Sequence, residues 1–207
     1  MAVQHNAITD PDIHEPKGAS TATADQIYVS DGSGSGDWTD LSDLYYTGWS
    51  LFVDNAYTDT SGVYLSIGTS PTLVTVNKLG TGTDETQAPV DATTTLFNAS
   101  TNLFQPINAG DLYSLQLSFT IEAVTGSPSI LTLDLAYTND DDPAVTTVIA
   151  QKVEPAPGAD AHICCLNMVP AIADLVSFGG KIRLTADSGT ISIKDIKLLI
   201  TRIHKAR

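Results

Sequence analysis

Between Leu112 and Tyr137 the chain alternates apolar and polar residues with a period of two. Tyr113, Leu115, Leu117, Phe119, Ile121 and Ala123 are apolar, and the residues between them are mostly polar. The alternation resumes at Leu131, Leu133, Leu135 and Tyr137. A period of two puts one set of side chains on one face of a strand. The intervening Gly126-Ser127-Pro128-Ser129 is turn chemistry, so the whole stretch reads as an antiparallel hairpin. Such a chain must build a sheet and cover one face of it.

Strand-like runs recur from residue 49 onward: Ser50–Asp54, Val63–Ile67, Thr72–Lys78, Thr93–Phe97, Asp111–Val124, Ser129–Thr138, Val145–Val153, His162–Val169, Lys181–Ala186 and Thr190–Ile203. Clusters of Gly, Ser, Asn, Asp and Pro separate them. Pro170–Phe178 reads as a short helix, because proline is accepted at the first helical position. The last run fits strand spacing if one residue is inserted near Lys194-Asp195. Its isoleucine and threonine content favours a strand with a bulge there. This spacing of strands and turns predicts an all-β fold, a jelly-roll-type antiparallel β-sandwich. At 207 residues and 42% hydrophobic content the chain suffices for one such domain plus an arm.

Residues 1–24 show neither period. Asp10-Pro11 and Glu15-Pro16 favour extended backbone before each proline. Large apolar residues are scarce, so this segment cannot fold alone and reads as an extended N-terminal arm. Gln26–Ser30 is a short strand, and Asp31–Asp37 is a glycine-rich turn. Trp38 opens an aromatic stretch with Tyr45, Tyr46 and Trp49, where Leu41, Leu44 and Tyr45 allow one helical turn. The expected division is an arm over 1–40 and a β-domain over 41–207.

Charge limits the partners. The net charge is −14, which opposes binding to phosphate backbones. Seven of the ten cations fall in residues 181–207, with only Asp187 and Asp195 as acids there. That asymmetry fits head-to-tail contact between unlike patches, or a solvated strand face balancing an acidic domain. No apolar stretch is long enough to span a membrane, and no basic-then-apolar leader is visible. Cys164 and Cys165 are adjacent, a poor geometry for a disulfide, and fit two small apolar side chains assembled in a reducing compartment.

Motifs for chemistry are absent. Gly32-Ser33-Gly34-Ser35-Gly36 is out of phase with a nucleophile elbow. Gly180-Lys181 lacks the remainder of a phosphate loop, and Gly80-Thr81-Gly82 opens no helix. His5, His14, His162 and His204 have no zinc-like spacing, and no metal or cofactor is expected. Asn139–Pro143 offers oxygens without the alternation of a calcium loop and reads as an acidic surface turn, as do Asp59 and Asp84-Glu85. No carboxylate pair suited to glycoside hydrolysis stands out. The reading is of a non-enzyme.

The N-terminus adds a family likeness. His5-Asn6-Ala7-Ile8-Thr9-Asp10-Pro11-Asp12-Ile13-His14-Glu15-Pro16-Lys17-Gly18, then Ala19–Ala24 and Ile27-Tyr28-Val29-Ser30-Asp31-Gly32-Ser33-Gly34-Ser35-Gly36-Asp37-Trp38, resembles the N-terminal region of certain tailed-bacteriophage virion proteins. Those are capsid decoration or head fibre proteins, and related segments occur in tail fibres. Gly189–Leu198 looks like the last strands of their TNF- or C1q-like jelly rolls. The resemblance implies a structural virion protein with no catalytic residue. It implies a homotrimer that binds the major capsid protein, or another virion protein, on the capsid exterior after assembly in the host bacterial cytoplasm. It makes His5, Asn6, Asp10, Pro11, Ile13, His14, Glu15, Pro16, Lys17, Gly18 and Trp38 the partner-binding set. The alternative role is a tail fibre or a receptor tip for host-surface glycan, for which Trp49, Tyr57, Tyr64 and Tyr137 are the candidate residues. A polysaccharide-degrading enzyme is a third reading and needs two carboxylates in a groove.

Overall fold

The computed structural model describes residues 22–24, 26–30, 33, 36–40, 47–126, 128, 130–136, 146–151 and 162–206. The chain divides into two compact units, residues 1–45 and 46–207. In the first, β1 (Gln26–Ser30) and β2 (Gly36–Asp40) form an antiparallel hairpin. Tyr28 lies opposite Trp38, and their rings meet edge to face at 5.6 Å. The other face pairs Ile27 with Thr39 and Val29 with Asp37. Both apolar residues there remain open to solvent, at 39% and 36% exposure.

The second unit contains, in order, β3 (Gly48–Val53), β4 (Leu65–Ile67), β5 (Thr72–Leu73), β6 (Phe97–Asn98), β7 (Leu103–Phe104), β8 (Leu112–Thr125), β9 (Leu131–Ala136), β10 (Thr146–Gln151), β11 (His162–Pro170), α1 (Ala173–Phe178), β12 (Gly180–Ala186) and β13 (Thr190–His204). They form two antiparallel sheets. One has the order β11-β8-β13-β3, with β4 beside β13, and the other has the order β10-β9-β12-β7-β6, with β5 beside β12. From β7 onward every connection except β9–β10 passes from one sheet to the other. The fold is an antiparallel β-sandwich of jelly-roll type.

The alternation in β8 explains the core. Tyr113, Leu115, Leu117, Phe119 and Ile121 are buried, and the residues between are half-exposed. They pack in one cluster with Leu131, Leu133 and Leu135 of β9, Ile182 and Leu184 of β12, and Ile196, Leu198 and Ile200 of β13. β13 has the predicted bulge. Lys194 pairs with Thr120 and Lys197 with Ser118, so two residues of β13 face one of β8. Asp195 sits there at φ 53°, and its amide donates to the Tyr57 carbonyl at 2.8 Å.

Four expectations are corrected. β8 and β9 are not a hairpin. Both edges of β8 are filled, by β11 and β13, so the chain crosses to the other sheet and its apolar face meets that of β8 across the core. The expected strand Thr72–Lys78 stops at Leu73. The Val76 amide donates to Asn102 Oδ1 and the Asn77 amide to Asp54 Oδ1, so side chains replace the strand ladder. The strand expected at Thr93–Phe97 is confined to Phe97–Asn98. There the Thr95 hydroxyl bonds the Phe97 carbonyl at 2.9 Å. The helix begins at Ala173, not Pro170, because Pro170 still pairs with Leu112 and Ala171 donates to the Asp111 carbonyl. The expected helical turn over Leu41–Tyr45 and the extended arm over residues 1–21 lie outside the described residues.

Two glycines give a graded test of this fold. Gly62 has φ 64° with open space around it, whereas a Cβ on Gly189, at φ 62°, would lie 2.1 Å from the Thr125 carbonyl oxygen. Gly62→Ala should cost about 1 kcal/mol, from the left-handed backbone alone. Gly189→Ala should cost at least about 2 kcal/mol more, because the β8–β13 ends must separate. Urea denaturation of both variants measures the difference.

Candidate functional site

At one end of the sandwich, Arg202 occupies an inward position of β13 and has no solvent exposure. Its Nη1 donates to Asp111 Oδ2 at 3.1 Å, and its Nη2 is paired with Asp91 Oδ1. Asp111 is fully buried and has both oxygens in use. Oδ2 also accepts from the Tyr113 hydroxyl at 3.1 Å and from the Asn108 amide at 3.3 Å, while Oδ1 accepts from the Ala206 amide at 3.0 Å. The Tyr113 oxygen accepts from the Ile107 amide. Lys205 Nζ reaches Asp91 Oδ2 at 3.1 Å.

Burial pushes the Tyr113 phenol above its ordinary pKa, and the neighbouring Asp111 adds to that. Burial opposes the charge on Arg202 too, but its bonds to Asp91 and Asp111 outweigh it and the guanidinium is held above its usual value. For Asp91, burial is likewise outweighed by Arg202 and Lys205, which hold the carboxyl below its usual value. The network borders a shallow depression of about 540 Å³ lined by Asp91, Thr93, Ile107, Asn108, Lys205 and Ala206.

Other cations are also consumed inside the chain. Lys194 Nζ lies 2.5 Å from Asp59 and 2.6 Å from Glu122, which hold its pKa above that of a free lysine. Arg183 Nε meets Asp134 at 2.7 Å across neighbouring strands. Lys78 Nζ lies 2.5 Å from Glu85 and 4.9 Å from the centre of the Phe52 ring. Four of the seven C-terminal cations, Arg183, Lys194, Arg202 and Lys205, are therefore in intrachain ion pairs. The expected cationic patch for head-to-tail contact is thus largely neutralised, and its members are not simply a solvated face.

A second depression, about 610 Å³, is lined by Asn55, Thr58, Asp59, Thr60, Ser61 and Asp195. Beside it Asp54, 4% exposed, shapes the loop: its Oδ2 accepts from the Ala56 and Tyr57 amides at 2.7 and 2.8 Å. The Ser61 hydroxyl donates to the Ala56 carbonyl at 2.6 Å. Asp59 in this lining is engaged by Lys194.

The sequence-derived partner set falls almost wholly outside the described residues. His5, Asn6, Asp10, Pro11, Ile13, His14, Glu15, Pro16, Lys17 and Gly18 lie there, and only Trp38 is placed, against Tyr28. Of the candidate glycan residues, Trp49 is 36% exposed, Tyr64 is half-buried, and Tyr57 packs on the core with its hydroxyl bonded to Thr75. Tyr137 and Asn139–Pro143 lie outside the described residues. Among the described residues no group of three or more His, Cys, Asp or Glu could hold a metal ion, and no helix is long and apolar enough to cross a membrane. Cys164 and Cys165 fall in β11, in register with Leu117 and Gln116. The buried Arg202–Asp111 pair escaped sequence reasoning. Its one sequence signal is an arginine at an inward position of an otherwise apolar strand.

No protein-family model matches the chain, and no curated protein matches it. Among solved structures, the PRD1 vertex protein P5 aligns over 76% of this chain and 96% of its own, at 17% identity and a TM-score of 0.39. Eiger TNF from S. frugiperda aligns over 78% and 95%, at 13% identity and a TM-score of 0.45. The CBM22-1–GH10 modules of Clostridium thermocellum xylanase 10B, complexed with xylohexaose, align over 77% of this chain and 30% of theirs, at 13% identity and 0.38. All three scores are too low to carry a functional assignment.

The ion-pair network makes two measurable statements. Arg202→Ala leaves Asp111 buried without its counter-charge and should cost about 3–5 kcal/mol in chemical denaturation. Asp91 titrates below its unfolded value of about 3.9, so its contribution is complete above that pH and is lost as pH falls through the folded pKa. Asp91→Asn should therefore be less stable than the parent at pH 7, and the gap should narrow in denaturation curves taken below about pH 4.

Proposed function

We propose that this chain is a structural virion protein of a tailed bacteriophage, a capsid decoration or head fibre protein. It attaches to the capsid surface through its N-terminal arm, residues 1–40, and displays the β-sandwich as a homotrimer. It performs no catalysis. The motif resemblance at residues 5–38 motivates the family, and one structural observation carries the physical case. The hairpin β1–β2 is a two-stranded sheet in a unit separate from the sandwich, with Ile27 and Val29 open to solvent. An isolated hairpin is marginal in water at best. One of its faces presents the apolar side chains of Ile27 and Val29, the kind of surface by which a strand pair docks on another protein.

A strongly acidic composition, which keeps a densely arrayed protein soluble, fits this reading.

Two deletions of contact test the anchor. Removing residues 2–24 should abolish co-sedimentation with particles grown without this protein, and leave the assembly of the free chain unchanged. Replacing Ile27 and Val29 together by Ser removes about 0.5–1 kcal/mol of further burial per residue and should weaken binding roughly 5- to 30-fold. Undiminished particle binding by the truncated chain would overturn the arm as anchor.

A further inference from the structure

We infer that residues 80–89 are a strap that seals the free edge of β3 against strand addition, and that releasing the strap turns this edge into a site of aggregation. The device belongs to the sandwich alone and is independent of the attachment proposed above.

β3 ends the order β11-β8-β13-β3, so among the described residues only one of its edges is paired with a strand. Alternate residues of a strand turn their backbone groups to opposite sides. Those of Ser50 and Phe52 face β13, and those of Trp49, Leu51 and Val53 face away. The run Trp49-Ser50-Leu51-Phe52-Val53 has no charge and no proline. An uncharged segment of high β-propensity is the composition that pairs edge to edge when its edge is open. Here all three outward amides are occupied. The Trp49 amide donates to the Gln87 carbonyl at 2.8 Å, the Leu51 amide to the Asp84 carbonyl at 2.8 Å, and the Val53 amide to the Thr83 hydroxyl at 3.0 Å. In return the Asp84 amide donates to the Leu51 carbonyl at 2.8 Å, and the Gly80 amide to the Val53 carbonyl at 2.9 Å.

The strap seals one edge without offering another. It makes a single bridge, Asp84 with Leu51, and then turns. Asp84 Oδ1 accepts the Thr86 amide at 2.8 Å, and the Ala88 amide donates back to the Glu85 carbonyl at 3.2 Å. Its Gly, Asp, Glu and Pro residues are types depleted in strands, so it presents no continuous ladder to a further strand. Two glycines let it lie close. A Cβ on Gly48 would stand 2.6 Å from the Gln87 carbonyl oxygen, and one on Gly80 2.5 Å from Val53 Cγ1. Glu85 pins the middle of the strap: its carboxylate lies 2.5 Å from Lys78 Nζ and accepts from the Thr95 hydroxyl. The far edge of the same sheet is blunted by other means. β11 carries an extra residue between Leu166 and Val169, with Met168 at φ 62°, and it ends on Pro170.

The test follows amide hydrogen exchange and thioflavin T fluorescence of the full-length chain under agitation. Gly80→Ala with Thr83→Val lifts one end of the strap, and Glu85→Ala unpins its middle without touching β3. In both variants the Leu51 and Val53 amides should exchange about tenfold faster relative to those of Ser50 and Phe52 than they do in the wild type. Fibrils should appear after a lag about threefold shorter. Gly62→Ala, in a turn with open space around it, measures lost stability alone and should leave that exchange ratio unchanged. Adding Leu51→Lys, a charge on the edge strand, should restore the lag of the strap variants. An unchanged exchange ratio in the strap variants would overturn the strap as the seal. Fibrils no faster than those of Gly62→Ala would overturn the open edge as the hazard. A lag that Leu51→Lys does not restore would overturn β3 as the strand that pairs.

Discussion

A guanidinium with no access to water holds three distant parts of this chain together. Arg202 comes from β13, Asp111 from the entry to β8, and Asp91 from the long connection between β5 and β6. Desolvating a charge costs several kcal/mol, and only well-placed opposite charges with further hydrogen bonds offset it. Both conditions hold here, since Asp111 also accepts from Tyr113, Asn108 and Ala206. The consequence is one of register more than net stability. β13 pairs with β3, β4 and β8, so a slip of one residue would turn Arg202 out and bury Thr201 or Ile203 in its place. Only one register gives the arginine its carboxylates.

The same demand organises the remaining charge. Lys78, Arg183, Lys194 and Lys205 each meet a carboxylate of the same chain. Together with Arg202, these are five of the seven lysines and arginines among the described residues. The outer rows of β8 and β13 use charge in the same way, with Glu122 and Lys194 paired there and Asp59 joining them from a loop.

The alternation of apolar residues showed which segments are strands and which of their side chains face inward, as β8 and β9 bear out. It could not show which strand lies beside which. A turn of Gly, Ser and Pro serves a hairpin and a sheet-to-sheet crossing equally, and the choice was made by β11 and β13 occupying both edges of β8. Val74–Lys78 has strand composition, but carboxylate and amide side chains 23 and 26 residues away capture its amides. The Arg202–Asp111 pair spans 91 residues, a separation at which spacing carries no signal. Trp49 was legible as an aromatic and not as an exposed one. Its exposure follows from the register of β3 on β13, which is a tertiary fact.

The exposed hairpin poses an energetic problem for the proposed attachment. Two partly exposed residues such as Ile27 and Val29 can supply about 1–2 kcal/mol on docking, which by itself leaves attachment weaker than about millimolar. Three chains joined through their sandwiches would carry three such anchors on one body. At effective concentrations of order millimolar, contacts of millimolar affinity or weaker are each at most about half occupied, so three hairpins together would gain only a few-fold over one. On the proposed reading the two hairpin residues alone would not hold a particle, and the rest of the arm would have to supply most of the attachment energy.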